Sequence, residues 1–246
     1  MNKYLDQKDD LQAGRTPRRE NSRHTIEEIV NLFLDAKAML MDLGELNSKT
    51  FEGYRGTGRI LVGVFGRHRL ASDLRTEDFE GLRRHLAKTR GPVALGNQIQ
   101  HTRTIFKHAF ESGLIDVPIR FGPTFKRPSK RILRQARHAR GLRMFERDDL
   151  LAILEKTDGQ LRAMILLGIQ AGFGATDCAS LPKSAVNLET GWIDFPRPKT
   201  AVRRLVPLWP EALDALREVM GQDRKPAKNS AADALVFLTR FGRRWV

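Results

Sequence analysis

Hydrophobic side chains recur at helical spacing through most of the first half of the chain. Residues 25–28 have the pattern of a capping box, and apolar residues follow every three or four positions to about Met41. Three further apolar stripes follow, two of which begin at the capping residues Ser48 and Thr76. The pattern predicts a bundle of four helices over residues 24–118.

The second half mixes the two periodicities. Alternating residues predict two short strands, at 191–195 and 203–207, joined by a turn around Lys199. Helical spacing or apolar runs predict the elements around this hairpin. They are a helix capped by Asp148, a buried helix at 161–170, a helix at 210–220 and a strand at 235–238. The predicted fold class is mainly α with a small β-hairpin or sheet, and residues 148–246 form a second domain.

Charge divides the two halves. The chain has 43 Lys and Arg against 29 Asp and Glu, a net charge of +14, and this favours a polyanionic partner. Ten of the basic residues and one acidic residue lie between Arg120 and Arg147. Because like charges repel and Pro123 and Pro128 lie near the start, residues 119–147 are predicted to be an extended basic linker that follows a phosphate backbone. A solvated connector without a partner is the alternative.

Basic side chains on the predicted helices extend the candidate interface. Arg55 and Arg59 lie opposite the apolar stripe of the second helix, and Arg103 and Lys107 share a polar face of the fourth. An ordinary solvated surface explains one such helix equally well. The candidate nucleic-acid contacts in the linker are Lys126, Arg127, Lys130, Arg131 and Arg134.

Other features narrow the class of protein. Cys178 is the only cysteine, so a disulfide framework and a cysteine metal cluster are excluded, and we expect neither metal nor cofactor. Residues 1–23 lack apolar periodicity and are predicted to be a mobile tail. The N-terminus has no apolar signal region, and the longest apolar run is too short to span a bilayer. We therefore expect a cytoplasmic protein without membrane contact.

The succession of segments resembles the tyrosine recombinase, or phage integrase, family. The resemblance runs from about Thr25 to Val246 and depends on the order of several segments rather than on one motif. It implies a helical core-binding domain and a catalytic domain that grip opposite sides of a DNA duplex, and self-association on DNA. The segments that carry it are residues 48–66, 74–79, 106–115, 172–177, 198–200 and 203–208.

The resemblance also implies a chemistry that this sequence carries only in part. The family uses a tyrosine nucleophile, two arginines, a lysine and one or two histidines. Lys199 matches the hairpin lysine, and Asp177 matches the acidic residue three positions after the first arginine, but Gly174 stands in place of that arginine. The resemblance places the second arginine, the histidines and the nucleophile beyond Val246, as in a C-terminally truncated copy. Lys199 and Asp177 are therefore expected to be vestigial.

Three functions remain open from the sequence. The first is a catalytically silent duplex-DNA-binding protein in the context of DNA integration and recombination. The second is an active site-specific recombinase to which a partner chain supplies the missing groups; Gly174 argues against it. The third is a basic RNA-binding or structural protein, which charge alone does not separate from the first. The two tyrosines, Tyr4 and Tyr54, both lie outside the second predicted domain, and this favours the silent protein.

Overall fold

The computed structural model describes residues 24–141, 144–221, 224 and 226–245. The chain forms two compact units that meet in sequence between Arg143 and Met144. The tail predicted at residues 1–23 lies outside the described residues.

Four long helices form the bundle of the first unit, as predicted. They are α1 (Ile26–Asp42), α2 (Ser48–Phe65), α3 (Thr76–Ala87) and α4 (Pro92–Glu111). The capping box of α1 is present: the Glu28 N–H donates to Thr25 Oγ1 at 3.2 Å, and the Thr25 N–H donates to the Glu28 carboxylate at 2.8 Å.

The caps of the next two helices differ from the prediction by one residue. Asn47, not Ser48, caps α2, because its side-chain oxygen accepts a hydrogen bond from the Lys49 N–H at 2.9 Å. At α3 the N-cap is Arg75, whose N–H donates to the Asp78 carboxylate at 2.8 Å. Ser48 and Thr76 are then the first residues inside their helices.

Aromatic rings hold the core of the first unit together. Phe79 lies at its centre, with its ring centroid 5.8 Å from that of Phe106, 4.8 Å from that of Phe121 and 5.3 Å from that of Phe125. Phe125 is fully buried. Edge-on aromatic pairs add packing energy beyond their buried area. The first part of the predicted linker is therefore anchored in the helical bundle.

The rest of that segment forms a helix, so the prediction of an extended conformation is wrong there. Helix α5 (Lys130–His138) begins after Ser129, whose hydroxyl accepts from the Ile132 N–H at 3.4 Å. Leu133 and Ala136 are half-buried on the side that packs against α4. This apolar spacing, one helical turn long, outweighs the repulsion among solvated charges.

The second unit contains further helices and a small sheet. The helices are α6 (Arg147–Lys156), α7 (Gly159–Ala171), α8 (Ala175–Ser180), α9 (Pro210–Met220) and α10 (Ser230–Asp233). The strands are β1 (Val186–Asn187), β2 (Trp192–Asp194) and β3 (Leu205–Pro207). They form an antiparallel sheet in the order β1-β2-β3, with Ile193 opposite Val206. The fold class and the hairpin agree with the sequence prediction.

Three details of the second unit differ from the prediction. Helix α7 packs against α9 through Leu166 and Leu167 but leaves Leu161 and Ile169 exposed, because only one face of a helix meets a neighbour. Residues 236–238 are buried and Leu235 is half-buried, yet they form no strand beyond one isolated bridge between Leu235 and Pro182. Helix α6 begins at Arg147, with Glu146 as its N-cap instead of Asp148. No helix within the described ranges is long and apolar enough to cross a membrane.

Candidate nucleic-acid interface

Helix α5 presents a basic face to solvent. Because successive residues are 100° apart, docking through Leu133 and Ala136 turns Lys130, Arg131 and Arg134 outward. All three are exposed, and none forms an ion pair with a carboxylate of the described residues. The structure therefore brings these three predicted residues together on one open, positively charged surface.

Lys126 and Arg127 extend this surface and are held by the bundle. The Lys126 carbonyl accepts a hydrogen bond from the Arg83 guanidinium, while its side chain is exposed. The Arg127 side chain lies across Gly96 of α4, with its Nε 3.4 Å from where a Cβ at Gly96 would be. These contacts fix the backbone before α5, so the charges are presented on an ordered scaffold.

The predicted contacts on the bundle helices differ in their surroundings. Arg55 pairs with Glu52 at 2.8 Å, Lys107 pairs with Glu111 at 3.5 Å, and Arg59 is exposed. Arg103 is half-buried: it donates to the Phe125 carbonyl at 2.7 and 3.3 Å, and its guanidinium lies 4.6 Å from the Phe121 ring centroid. Arg103 thus ties α4 to the segment before α5, and sequence reasoning missed this structural role. That any of these residues contacts DNA stays a prediction.

In the second unit, Asp177 joins a buried ion pair beside Gly174. Its carboxylate accepts from the Gly174 N–H at 2.9 Å and pairs with the Arg204 guanidinium at 3.4 Å. The Arg204 guanidinium also lies 3.8 Å from the Phe173 ring centroid. Its Nε donates to the Phe195 carbonyl at 3.4 Å. This arrangement fastens the end of the hairpin to the segment between α7 and α8.

Sequence reasoning did not identify Arg204, although strand alternation carries the signal. Val206 faces the core opposite Ile193, so Arg204, two positions earlier, points to the same side. Arg203 points the other way and pairs in solvent with Asp194 at 3.0 Å. Two adjacent arginines of identical chemistry therefore have opposite environments.

The space beside Gly174 holds little of the chemistry that the resemblance implies. A Cβ at Gly174 would meet only the Asp177 carboxylate, 3.8 Å away, so a Cβ fits at this position. The nearby Arg204 guanidinium is already engaged by Asp177 and Phe173. Residues 144–246 contain no tyrosine and no histidine. The arrangement can stabilise the fold, but it offers neither a hydroxyl nucleophile of the tyrosine type nor an imidazole.

Lys199 is exposed and Cys178 is buried. Lys199 lies in the exposed turn between β2 and β3, and its ammonium group pairs with no carboxylate in the described part of the chain. Burial, together with the charge of Asp177, raises the pKa of the Cys178 thiol to about 11, so the thiolate is scarce at neutral pH. No three His, Cys, Asp or Glu side chains of the described residues come close enough to hold a metal ion.

Similarity to known proteins is confined to three-dimensional structure. No protein-family model and no curated protein matches the chain. A lambda integrase dimer bound to a COC' core site matches with a TM-score of 0.68 and 13% identity, over 97% of this chain and 66% of that one. The Tn1549 transposon integrase in complex with a circular intermediate DNA matches with a TM-score of 0.63 and 14% identity, over 90% and 74%.

A lambda integrase tetramer bound to a Holliday junction also matches, with a TM-score of 0.65 and 14% identity, over 100% of this chain and 68% of that one. The chain thus spans about two thirds of the length of these lambda integrase structures. At such low identity the agreement is one of fold. The chain has the fold of these integrases.

Proposed function

We propose that this chain binds duplex DNA in the context of integration and recombination, and that it does not cut DNA by itself. The observation that carries the proposal is the basic face of α5, where Lys130, Arg131 and Arg134 are exposed and have no carboxylate partner among the described residues. Of the predicted contacts in the bundle, Arg55 and Lys107 are each paired, and Arg59 is exposed.

The charge and size of this face suit a phosphate backbone. Residues 119–141 contain eight Lys and Arg and no Asp or Glu. Helix α5 is roughly 13 Å long, so it runs past about four base-pair steps of a duplex. Unpaired cations at that density release condensed counterions when they contact phosphates, and this release drives binding.

The structural neighbours support DNA over RNA as the partner. The lambda and Tn1549 integrases that share this fold are described in complexes with DNA, and the lambda structures contain a dimer and a tetramer. We extend both properties to this chain as part of the proposal: a duplex-DNA partner and self-association on that DNA.

Catalytic silence is supported by the second unit. Gly174 supplies no guanidinium, Arg204 is turned toward Asp177, and residues 144–246 contain no tyrosine to attack a phosphate. Cleavage of DNA by a tyrosine has two separate requirements: neutralising the charge of the phosphorane and supplying a nucleophile. In residues 144–246 the guanidinium at position 174 is missing for the first requirement, and a tyrosine is missing for the second.

DNA binding is tested with a fluorescently labelled duplex and anisotropy titrations at several salt concentrations. If about six phosphates are contacted, the logarithm of the affinity should fall against the logarithm of salt with a slope of roughly −5. Reversing three charges of α5, with Lys130→Glu, Arg131→Glu and Arg134→Glu, should remove most of the binding. Circular dichroism should not change, because all three side chains are exposed.

A matched control separates position from net charge. Arg84→Glu, Lys88→Glu and Lys156→Glu change the net charge equally at three exposed sites outside the segment 119–141. The control should retain most of the affinity at moderate salt. Equal losses in the two triple variants, or a response to salt close to zero, would contradict the proposed interface. Tighter binding to an RNA of the same length would favour the RNA-binding alternative.

A further inference from the structure

A second feature of the first unit has the form of a binding site. A cleft of about 750 Å³ opens between the first turns of α4 and the segment that carries α5. Pockets of this size hold molecules as large as a nucleotide. Its apolar part is formed by Val93, Pro128 and Leu133, and its basic part by Arg127, Arg137 and Arg140. Lys130, Arg131 and Arg134, which form the open face of α5, do not line it.

Two of the arginines lie close to the start of α4. The Nε of Arg127 is 3.4 Å from the Cβ position of Gly96, and a guanidinium nitrogen of Arg140 is 3.7 Å from that of Gly91. Gly91 is the N-cap of α4, and Gly96 lies roughly 7.5 Å further along the helix axis. The two guanidinium groups therefore contact this part of the chain at different heights along the axis.

The positive charge inside the cleft favours an anionic ligand. No acidic side chain lines it, and none of Arg127, Arg137 and Arg140 forms an ion pair within the described part of the chain. Three guanidinium groups around one cavity repel each other, and an anion between them removes that repulsion. Guanidinium groups bind phosphate with paired, charge-assisted hydrogen bonds. The apolar residues of the cleft favour a ligand that also has a less polar portion, such as a sugar ring, beside its phosphate.

We propose that this cleft binds a nucleoside phosphate, with the phosphate among Arg127, Arg137 and Arg140 and the sugar against Val93 and Leu133. The phosphate can belong to a DNA strand or to a free nucleotide, and the recognition chemistry is the same. The DNA source rests on the proposed function, because a strand must first reach α5. In that case the cleft fixes the position of one nucleotide while the open face of α5 supplies general affinity.

The site is tested by calorimetry on the full chain, with deoxyadenosine monophosphate as the probe and deoxyadenosine as the uncharged comparison. Val93→Trp fills the cleft without changing charge, and Val117→Trp is the control, since Val117 is also exposed but does not line the cleft. The monophosphate should bind the wild type and the Val117 variant and bind the Val93 variant at least roughly tenfold more weakly. Deoxyadenosine should not bind measurably.

A second variant, which removes two charges from the cleft, tests the site without introducing a tryptophan that could disturb folding. Arg137→Ala with Arg140→Ala should also weaken monophosphate binding, whereas Arg131→Ala with Arg134→Ala, outside the cleft, should not. Circular dichroism should show that all variants are folded. Absent binding to the wild type, or full binding to both the filled and the arginine-depleted cleft, would overturn the proposal.

Duplex titrations assign the source of the phosphate and keep the two proposals apart. If a DNA phosphate occupies the cleft, Val93→Trp should make the salt slope less steep by about 1. An unchanged slope together with lost monophosphate binding would assign the cleft to free nucleotides. The charge reversals on α5 test DNA binding without touching the cleft, so failure of the interface and failure of the cleft give different results.

Discussion

Replacing Arg204 with alanine tests how far the second unit depends on its buried ion pair. The side chains of Arg204 and Asp177 are only 15% and 9% exposed, so the variant leaves a carboxylate in a poorly solvated position. Removing one partner of such a pair costs about 3 to 5 kcal/mol. We expect about 3 kcal/mol, the lower end, because the Arg204 Nη2 is buried without a hydrogen-bond partner among the described residues and already weakens the native state.

Tryptophan fluorescence isolates the relevant transition. Trp192, Trp209 and Trp245 are the only tryptophans, and all lie in the second unit. Their emission therefore follows unfolding of that unit in urea without a contribution from the bundle. With a urea dependence of about 1.5 kcal/mol per M, the midpoint should fall by about 2 M.

Arg203→Ala is the matched control for this measurement. Arg203 is the adjacent arginine and also forms an ion pair, but its side chain is 74% exposed, so its midpoint should stay close to that of the wild type. Asp177→Ala combined with Arg204→Ala should cost less than the sum of the two single variants, because the pair is removed together. A midpoint for Arg204→Ala within about 0.5 M of the wild type would refute the argument from burial.

Three further predictions concern titration, reactivity and catalysis. Burial lowers the pKa of His101 and His108 below the ordinary value of 6.5, so as the pH falls the unfolded chain binds more protons than the folded chain. The stability of the first unit should therefore fall from pH 7.5 to about pH 5, as measured by melts followed by circular dichroism. The fall should be smaller in a variant that combines His101→Gln with His108→Gln. Cys178, with its pKa raised to about 11, should be alkylated by iodoacetamide rapidly only when urea unfolds the second unit; rapid reaction of the native protein would contradict its burial. Neither the wild type nor Gly174→Arg should form a covalent adduct with a nicked suicide duplex on denaturing gels, because an added guanidinium supplies no nucleophile.

The elements governed by local sequence were the ones that could be predicted. The capping box at Thr25, the stripe positions of α1 to α4 and the alternation around Ile193 each depend on neighbours within a few residues. The errors in the caps of α2 and α3 are of one residue. At α2 the neighbouring Asn47 side chain accepts the hydrogen bond in place of Ser48, and at α3 the Asp78 carboxylate accepts from the Arg75 N–H, so Thr76 is not needed as a cap. The fold class follows from this local information.

The conformation of residues 119–141 could not be predicted from charge. Counting arginines indicated repulsion and an extended chain, but the anchors are Phe121 and Phe125, whose aromatic partner Phe79 lies more than forty positions earlier. With Phe125 buried and Phe121 half-buried in the bundle, Leu133 and Ala136, which are one helical turn apart, pack on the side of α5 that faces α4. Long-range apolar contacts therefore determine the conformation of residues 119–141, which the local charge alone predicts incorrectly.

Arginine side chains show why the candidate interface also needed the structure. Arg103 and Arg204 carry the same charge as Arg131 and Arg134. The guanidinium groups of Arg103 and Arg204, however, each donate to a backbone carbonyl and contact an aromatic ring within their own unit. A phosphate would have to displace those contacts, whereas at α5 it would displace only water and counterions. Affinity for DNA should therefore depend on cations that are both unpaired and gathered in the segment 119–141, rather than on the net charge. This is why charge reversals at α5 should cost more affinity than the same number of reversals at Arg84, Lys88 and Lys156, which lie outside that segment.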